Sequence, residues 1–183
     1  MKKIILSILA VSSLLLMGAC TTEEKKETNQ TESTNTADFI FELEGIFPKN
    51  DRFQLFYSND TNFKEENSVK VIVYGQTTMQ KVVFKLPNDV KPQNLRLDLG
   101  SNPEQVSIAI KQFKLDFKGN VIEVADDKFR DYFPETSSVA FDNSKLVYNL
   151  IANTDGVFDP IIISSDQFKK DLNKIYNSLR ESK

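Results

Sequence analysis

Apolar residues recur at every second position in many short segments of this chain. In FIFEL (39–43), FQLFY (53–57), VKVIV (69–73), VVFKL (82–86) and LRLDL (95–99), the first, third and fifth side chains are apolar. Because successive side chains of a β-strand point to opposite faces, this alternation is typical of strands with one face on a core and the other in water. It favours antiparallel sheets, since the strands of a parallel sheet are covered on both faces and are apolar throughout.

The segment VSIAIKQFKLDF, residues 106–117, changes phase near its middle. Its large apolar side chains lie at even positions up to Ile110 and at odd positions from Phe113 onward. A shift of one residue would turn half of them toward water, so we expect a bulge or tight bend near residues 111–112. The turn residues KGN (118–120) follow and predict a β-hairpin.

Helical patterns occur at two places after residue 125. DDKFRDYF (126–133) predicts a short helix that ends at a proline, and residues 165–181 predict an amphipathic helix whose apolar stripe docks on the sheets. Ser164 and Gln167 have the spacing of a capping box at its start. Two more strands are expected at SSVAFD and KLVYNLI. Many short strands separated by turn residues indicate a mostly β fold: an antiparallel β-sandwich of jelly-roll type with a C-terminal amphipathic helix.

The first twenty residues, MKKIILSILAVSSLLLMGAC, have the pattern of a segment that is removed rather than folded. Two lysines precede a largely apolar run from Ile4 to Leu16, and small residues precede Cys20. The ending LMGAC resembles the lipobox of bacterial lipoproteins, with Met17 where leucine is more usual. The resemblance implies that residues 1–19 are a lipoprotein signal peptide and that Cys20 carries lipid, palmitate included, as the mature N-terminus. The alternative is an ordinary secretory signal followed by an incidental cysteine.

The cysteine count and the net charge limit where the mature chain can be located and what it can bind. Cys20 is the only cysteine, so no disulfide can form within the chain, and lipid attachment accounts for an otherwise free thiol. Residues 20–37 lack bulky apolar residues and are expected to be a disordered polar tether before a folded domain at 38–183. We therefore expect an extracytoplasmic protein anchored to a bacterial membrane, with the outer membrane favoured. The net charge of −3 argues against nucleic acid as a partner, because phosphate binding needs basic clusters.

The composition excludes several kinds of catalysis. Histidine is absent, so Ser-His-Asp and Cys-His arrangements cannot form and the usual zinc ligand sets are missing. The six glycines are scattered and form no phosphate-binding loop. Paired carboxylates can hydrolyse glycosides, but nearly all acidic residues fall at outward strand positions or in turns, where solvation is the expected role. We therefore predict a non-enzymatic protein that needs neither a metal nor a cofactor.

Two stretches, LRLDLGSNP and VSIAIKQFKLDF, resemble strands of the carbohydrate-binding-module-like jelly-roll domains that accompany bacterial polysaccharide enzymes. The resemblance covers roughly residues 50–124. It implies a β-sandwich scaffold that binds glycan at the cell surface. Sugars stack on aromatic rings and hydrogen bond to polar side chains, so Phe63, Tyr74, Arg96 and Asp98 are the candidate ligand-binding residues.

Other uses of these residues stay open. The loop after residue 99 can be purely a structural turn. Asp98, Ser101, Asn102 and Glu104 can also supply some of the roughly six to eight oxygens that calcium prefers. The glycan hypothesis competes with a structural or interaction role in which the partner is another protein of the cell envelope.

Overall fold

The computed structural model describes residues 37–181, and these residues form ten β-strands and two α-helices. The strands are β1 (Phe39–Phe47), β2 (Asp51–Ser58), β3 (Ser68–Val73), β4 (Gln76–Lys85), β5 (Asn94–Asp98), β6 (Ser107–Phe117), β7 (Asn120–Ala125), β8 (Val139–Asp142), β9 (Val147–Leu150) and β10 (Ile161–Ile163). The helices are α1 (Asp126–Tyr132) and α2 (Asp166–Glu181). The signal peptide, Cys20 and most of the tether expected from the sequence lie outside the described residues.

Two antiparallel sheets build the fold. The larger sheet contains β4, β1, β6, β9 and β8 in that order, with β7 also paired to β6, and the smaller contains β10, β5, β2 and β3 in that order. β1 runs along one side of β6, whereas β7 and β9 share its other side and pair with different halves of it. These findings confirm the prediction of a mostly β fold with two antiparallel sheets and a C-terminal helix.

The alternating segments place their apolar side chains in the core. Phe39, Phe41 and Leu43 of β1 are fully buried, as are Leu95 and Leu97 of β5, while the residues between them are only partly buried. Burial of one such side chain contributes about 1.5–3 kcal/mol relative to exposure. The alternation therefore decides which face of each strand turns inward.

The phase change within β6 is accommodated by a bulge at Lys111. Two successive residues of β1, Glu44 and Gly45, pair with Gln112 and Ile110, so Lys111 is left without a partner residue on β1. Because of this extra residue, the large apolar side chains of β6 on both sides of it are buried, whereas Val106, just before the strand, is 65% exposed. The bulge predicted from the sequence is confirmed.

The turn and the short helix that follow β6 also form where they were predicted. β6 and β7 pair on either side of Lys118 and Gly119, whose φ angles are 52° and 84°. Two positive φ angles in succession make the tight hairpin turn whose twist matches that of the paired strands. α1 ends before Pro134, which cannot continue a helix.

The N-terminal cap of α2 is Ser165. Its hydroxyl accepts a hydrogen bond from the backbone N–H of Phe168 at 3.3 Å. The Ser164 hydroxyl instead accepts a hydrogen bond from the backbone N–H of Leu95 at 2.8 Å, which extends the pairing of β10 with β5. The predicted capping box of Ser164 and Gln167 is therefore wrong, because contact with the sheet uses the Ser164 hydroxyl.

The apolar stripe of α2 packs against the core. Phe168 and Leu172 are fully buried, and Tyr176 is almost so. The centroid of the Tyr176 ring lies 4.9 Å from that of Phe117 of β6, and the Tyr176 hydroxyl donates a hydrogen bond to the carbonyl of Pro92 at 2.9 Å. The expectation that this stripe is docked on the sheets is confirmed.

Leu172→Asp is expected to unfold the domain, or to lower its free energy of unfolding by at least about 3 kcal/mol, because it leaves a cavity and buries a charge. Urea denaturation followed by circular dichroism measures the change. Lys170→Asp, on the exposed side of the same helix, is the control and should change the free energy of unfolding by roughly 0.5 kcal/mol or less. Equal stability of the two variants would contradict the packing of α2.

Candidate functional site

Alternate side chains of the smaller sheet point away from the core, and six of them, at its centre, form what we call the outer sheet face. They are Gln54 and Phe56 of β2, Ser68 and Lys70 of β3, and Arg96 and Asp98 of β5. On each strand they alternate with residues that pack in the core, so they share one face. The register places Arg96 beside Phe56 and Asp98 beside Gln54.

A bidentate ion pair between Arg96 and Asp98 lies at the centre of the outer sheet face. Arg96 donates two hydrogen bonds to Asp98, from Nε to Oδ1 and from Nη2 to Oδ2, each 2.7 Å long. The guanidinium carbon of Arg96 also lies 4.4 Å from the centroid of the Phe56 ring. A planar guanidinium suits both a carboxylate and an aromatic face, so these contacts hold the Arg96 side chain in one conformation.

Arg96 and Asp98 depend on each other electrostatically. Their side chains are 24% and 13% exposed. Burial raises the pKa of Asp98, and the hydrogen bonds from Arg96 act against that effect. The same hydrogen bonds raise the pKa of Arg96, so its guanidinium stays protonated. Removal of either residue would leave the other as a partly buried charge without its partner.

A second set of contacts links β2 and β3 on the same face. Gln54 Nε2 donates hydrogen bonds to the Glu65 carboxylate at 3.1 Å and to the Ser68 hydroxyl at 2.8 Å. Lys70 forms an ion pair with the same carboxylate, and the hydrogen bond from Lys70 lowers the pKa of Glu65. The positions of these polar groups are therefore fixed by contacts within the protein.

The two aromatic candidates, Phe63 and Tyr74, lie at opposite ends of β3. Phe63 is half-buried in the loop that precedes β3, and Tyr74 directly follows the strand and is 74% exposed. Ser68 stands in the same row as Arg96. At about 3.3 Å per residue, Tyr74 lies roughly 20 Å along the strand from that row. The structure therefore separates Tyr74 from the ion pair.

Asp51, at the start of β2, holds the turn between β5 and β6. Its carboxylate accepts hydrogen bonds from the backbone N–H of Ser101 at 2.9 Å and from that of Asn102 at 3.2 Å. Gly100 has a φ of 101°, and a Cβ at this position would lie 2.1 Å from Asp51 Oδ2. Glycine is therefore required both by the backbone conformation and by the nearby carboxylate.

The turn does not assemble the set of oxygen ligands that was considered for calcium. Asp98 points to Arg96 on the outer sheet face. The Asn102 side chain donates to the carbonyl of Asn50 and accepts from the backbone N–H of Glu104. Within residues 37–181, no three acidic, cysteine or histidine side chains gather closely enough to hold a metal ion. Hydrogen bonds within the chain hold this turn in place.

Asp51 is the part of the site that the sequence did not reveal. The Asp51 carboxylate binds backbone groups fifty residues further along the chain, and no local pattern distinguishes it from other acidic residues at strand ends. Phe56 is an aromatic residue on the outward side of β2, and Arg96 covers it. The alternation along β2 places Phe56 on the face opposite Phe53 and so predicts its outward position, but not its contact with Arg96.

Comparisons with models of known protein families, with curated proteins and with solved structures find no match to this chain. The functional interpretation therefore depends on the geometry of the site and on features of the sequence. No helix within residues 37–181 is long and apolar enough to cross a membrane.

Gly100→Ala is expected to lower the free energy of unfolding by about 2–4 kcal/mol, because a positive φ and a collision with Asp51 act together. Gly119→Ala is the matched control: its φ is also positive, but no atom lies within 4 Å of an added Cβ. For this control we expect a loss of only about 1–2 kcal/mol. Urea denaturation measures both variants, and equal losses would show that the Asp51 contact does not constrain the turn.

Proposed function

We propose that this protein is a lipoprotein of the bacterial cell envelope whose folded region is a non-enzymatic, glycan-binding or accessory module. The lipobox that ends at Cys20 supports a lipid anchor outside the cytoplasm, with the outer membrane as the favoured location. A two-sheet β fold with polar side chains on its outer sheet face supports the binding role. Such binding requires no cofactor.

The order of the strands supports a jelly-roll arrangement. From β3 to β6, successive strands alternate between the smaller and the larger sheet. Jelly rolls are built from strands distributed in this way over two packed sheets. The glycan-binding domains that the strand sequences resemble share this architecture, and this analogy is what connects the fold with glycans.

The observation that carries the proposal is the fixed position of Arg96 on the outer sheet face. Asp98 and Phe56 hold its guanidinium in one conformation, while Nη1 has no hydrogen-bond partner among the residues that the structure describes. A donor that is already immobilised loses little side-chain entropy when it binds a sugar hydroxyl. We propose that a glycan lies across this face, with the loop around Phe63 at its rim.

A different observation favours the second candidate, a protein partner from the cell envelope. Ile72 of β3 and Ile163 of β10 lie on the outward side of the smaller sheet and are 58% and 40% exposed. Ile163 pairs with Arg96 in the register. Apolar side chains thus border the polar centre at both edges of the sheet, and a second protein can bury such residues.

Cys20→Ser tests the lipid anchor. The wild-type protein should fractionate with membranes, whereas the variant should be released into soluble fractions, because it lacks the acyl chains. Metabolic labelling with a palmitate analogue gives an independent readout and should mark only the wild type. Thr21→Ser is the control and should fractionate as the wild type does. Equal membrane association of the cysteine variant would contradict lipidation.

A glycan array probed with the detergent-solubilised protein tests the binding role. We expect binding to one class of envelope or host oligosaccharide, and a higher melting temperature with that glycan, because a ligand of the native state stabilises it. Arg96→Lys keeps the charge but removes the planar guanidinium group and its N–H donors. It should therefore weaken binding by about 1.4 kcal/mol, a factor of ten. Arg180→Lys, on an exposed side of α2, should leave the affinity unchanged.

A folded protein that binds no glycan on the array would contradict the glycan proposal. Photo-cross-linkers placed at Ile72 and Ile163 in intact cells would then test the protein partner. A cross-linked envelope protein at these two positions, but not at the exposed control position Lys170, would support the second candidate.

A further inference from the structure

A cleft of about 300 Å³ opens between α1 and the hairpin of β8 and β9, on elements that take no part in the outer sheet face. Its apolar wall consists of Ile110, Phe141 and Leu146, and its polar groups are Asp126, Asp127, Arg130 and Asn143. Small-ligand pockets range from about 300 to 1,000 Å³. The cleft is therefore large enough for a ligand of the size of one sugar ring.

A buried hydroxyl without a partner lies beside this cleft. Tyr148 of β9 is 2% exposed, and its hydroxyl makes no hydrogen bond within the described part of the chain. The Tyr148 ring packs against Phe141, with 4.8 Å between the centroids. Burial raises the pKa of Tyr148, and the charged groups that act on the phenol include Arg130 and Asp126. The Tyr148 ring thus packs directly behind Phe141 of the cleft wall, and its hydroxyl stays protonated.

The unpartnered hydroxyl is not needed for packing. Phenylalanine would fill the same space and would avoid burying a polar group without a hydrogen bond. Tyrosine at position 148 is therefore unfavourable in the free protein, which suggests a partner that binds from outside the chain.

Leu146 is a second residue whose side chain and backbone conformation are unfavourable in the free protein. Its φ is 56°, a conformation that leucine adopts with strain and that turns usually assign to glycine or asparagine. Its side chain is also 67% exposed, although it is large and apolar. Strain and exposure are both unfavourable, and they coincide at the rim of the cleft.

Arg130 lies on the wall of the cleft between an aromatic ring and a carboxylate. Its guanidinium carbon is 4.3 Å from the centroid of the Phe141 ring, and Nη1 lies 3.6 Å from Oε1 of Glu135. Asp126 is likewise paired, at 2.9 Å, with Lys111. The charges near the cleft are thus largely balanced.

The remaining charge disfavours acidic ligands. Asp127 forms no ion pair among the described residues, so the surroundings of the cleft carry a small negative excess. The cleft offers hydrogen-bond donors from arginine, tyrosine and amide groups and acceptors from carboxylate and amide groups. Hydroxyl groups both donate and accept, so this mixture around an apolar wall suits a neutral ring that bears several hydroxyls.

We propose that the cleft binds a neutral sugar ring at the end of a glycan. The apolar face of the ring lies against Leu146 and Phe141, and its hydroxyls bond to Arg130, Asn143 and Tyr148. The Tyr148 hydroxyl is closed to solvent, so the Arg130 side chain, which is 36% exposed, turns outward as the ligand enters. This inference rests on the proposed glycan-binding function and adds a second contact with the glycan.

Two variants separate a binding role from a structural role. Tyr148→Phe removes an unpaired hydroxyl, and Leu146→Gly relieves the strained turn, so neither should lower the melting temperature of the free protein. Each should weaken binding of neutral sugars, by about fivefold or more for the tyrosine variant. Ligand-observed NMR with the detergent-solubilised full-length protein provides the readout, with glucose, galactose, mannose and N-acetylglucosamine as probes and glucuronate as the acidic comparison.

Tyr176→Phe is the matched control. The Tyr176 hydroxyl is also buried, but it donates a hydrogen bond to the carbonyl of Pro92. This variant should lower the melting temperature and leave sugar binding unchanged. If Tyr148→Phe lowers the melting temperature to the same extent, its hydroxyl has a structural partner and the proposal is wrong.

The outcomes also distinguish this proposal from the general one. Glycan binding that Arg96→Lys weakens, but that both cleft variants leave unchanged, would overturn the cleft site while the proposed function stands. Binding of glucuronate that equals or exceeds that of the neutral sugars would contradict the neutral ligand. A folded protein that binds no sugar and no glycan would overturn both proposals.

Discussion

The bulge at Lys111 is the feature on which most of this fold depends. β6 is the central strand of the larger sheet, and the extra residue allows Ile110 before it and Phe113 after it to face the same core. Without the bulge, one half of β6 would expose its apolar side chains to water, at about 1.5–3 kcal/mol for each large side chain. β1 pairs with both halves of the strand and so keeps the sheet continuous across the irregularity.

The same bulge shapes the surface beside β6. β7 pairs with the half that follows the bulge, β9 pairs with the half that precedes it, and α1 lies between these two strands in the sequence. Lys111 points outward and binds Asp126 of α1, while its neighbour Ile110 lines the cleft. Bulges often occur next to binding sites because they redirect side chains. The bulge therefore directs Lys111 toward α1 and keeps Ile110 at the wall of the cleft.

Features that depend on neighbours along the chain could be predicted, and features that depend on distant partners could not. Alternation located the main strands and showed that Arg96 and Asp98 face outward, since both follow from the two-residue period of a strand. β10 escaped prediction because Ile161–Ile163 is three apolar residues in a row, too short to show any period. Two contacts arise only when the strands pair: Arg96 stacks on Phe56, and the Asp51 carboxylate accepts hydrogen bonds from a turn fifty residues away.

The two candidate surfaces differ in how well their groups are satisfied in the free protein. On the outer sheet face, Arg96 and Asp98 pair with each other, so a change at either one disturbs stability as well as binding. At the cleft, the hydroxyl of Tyr148, which packs behind Phe141, has no partner among the described residues, and Leu146 has a strained backbone. Chains retain such unfavourable groups mainly where an activity requires them, because substitutions that remove them are otherwise stabilising. Partial unfolding cannot explain a loss of affinity that comes with a gain in stability. Of the two candidate surfaces, the cleft is the one at which a substitution is expected to lower affinity without lowering stability.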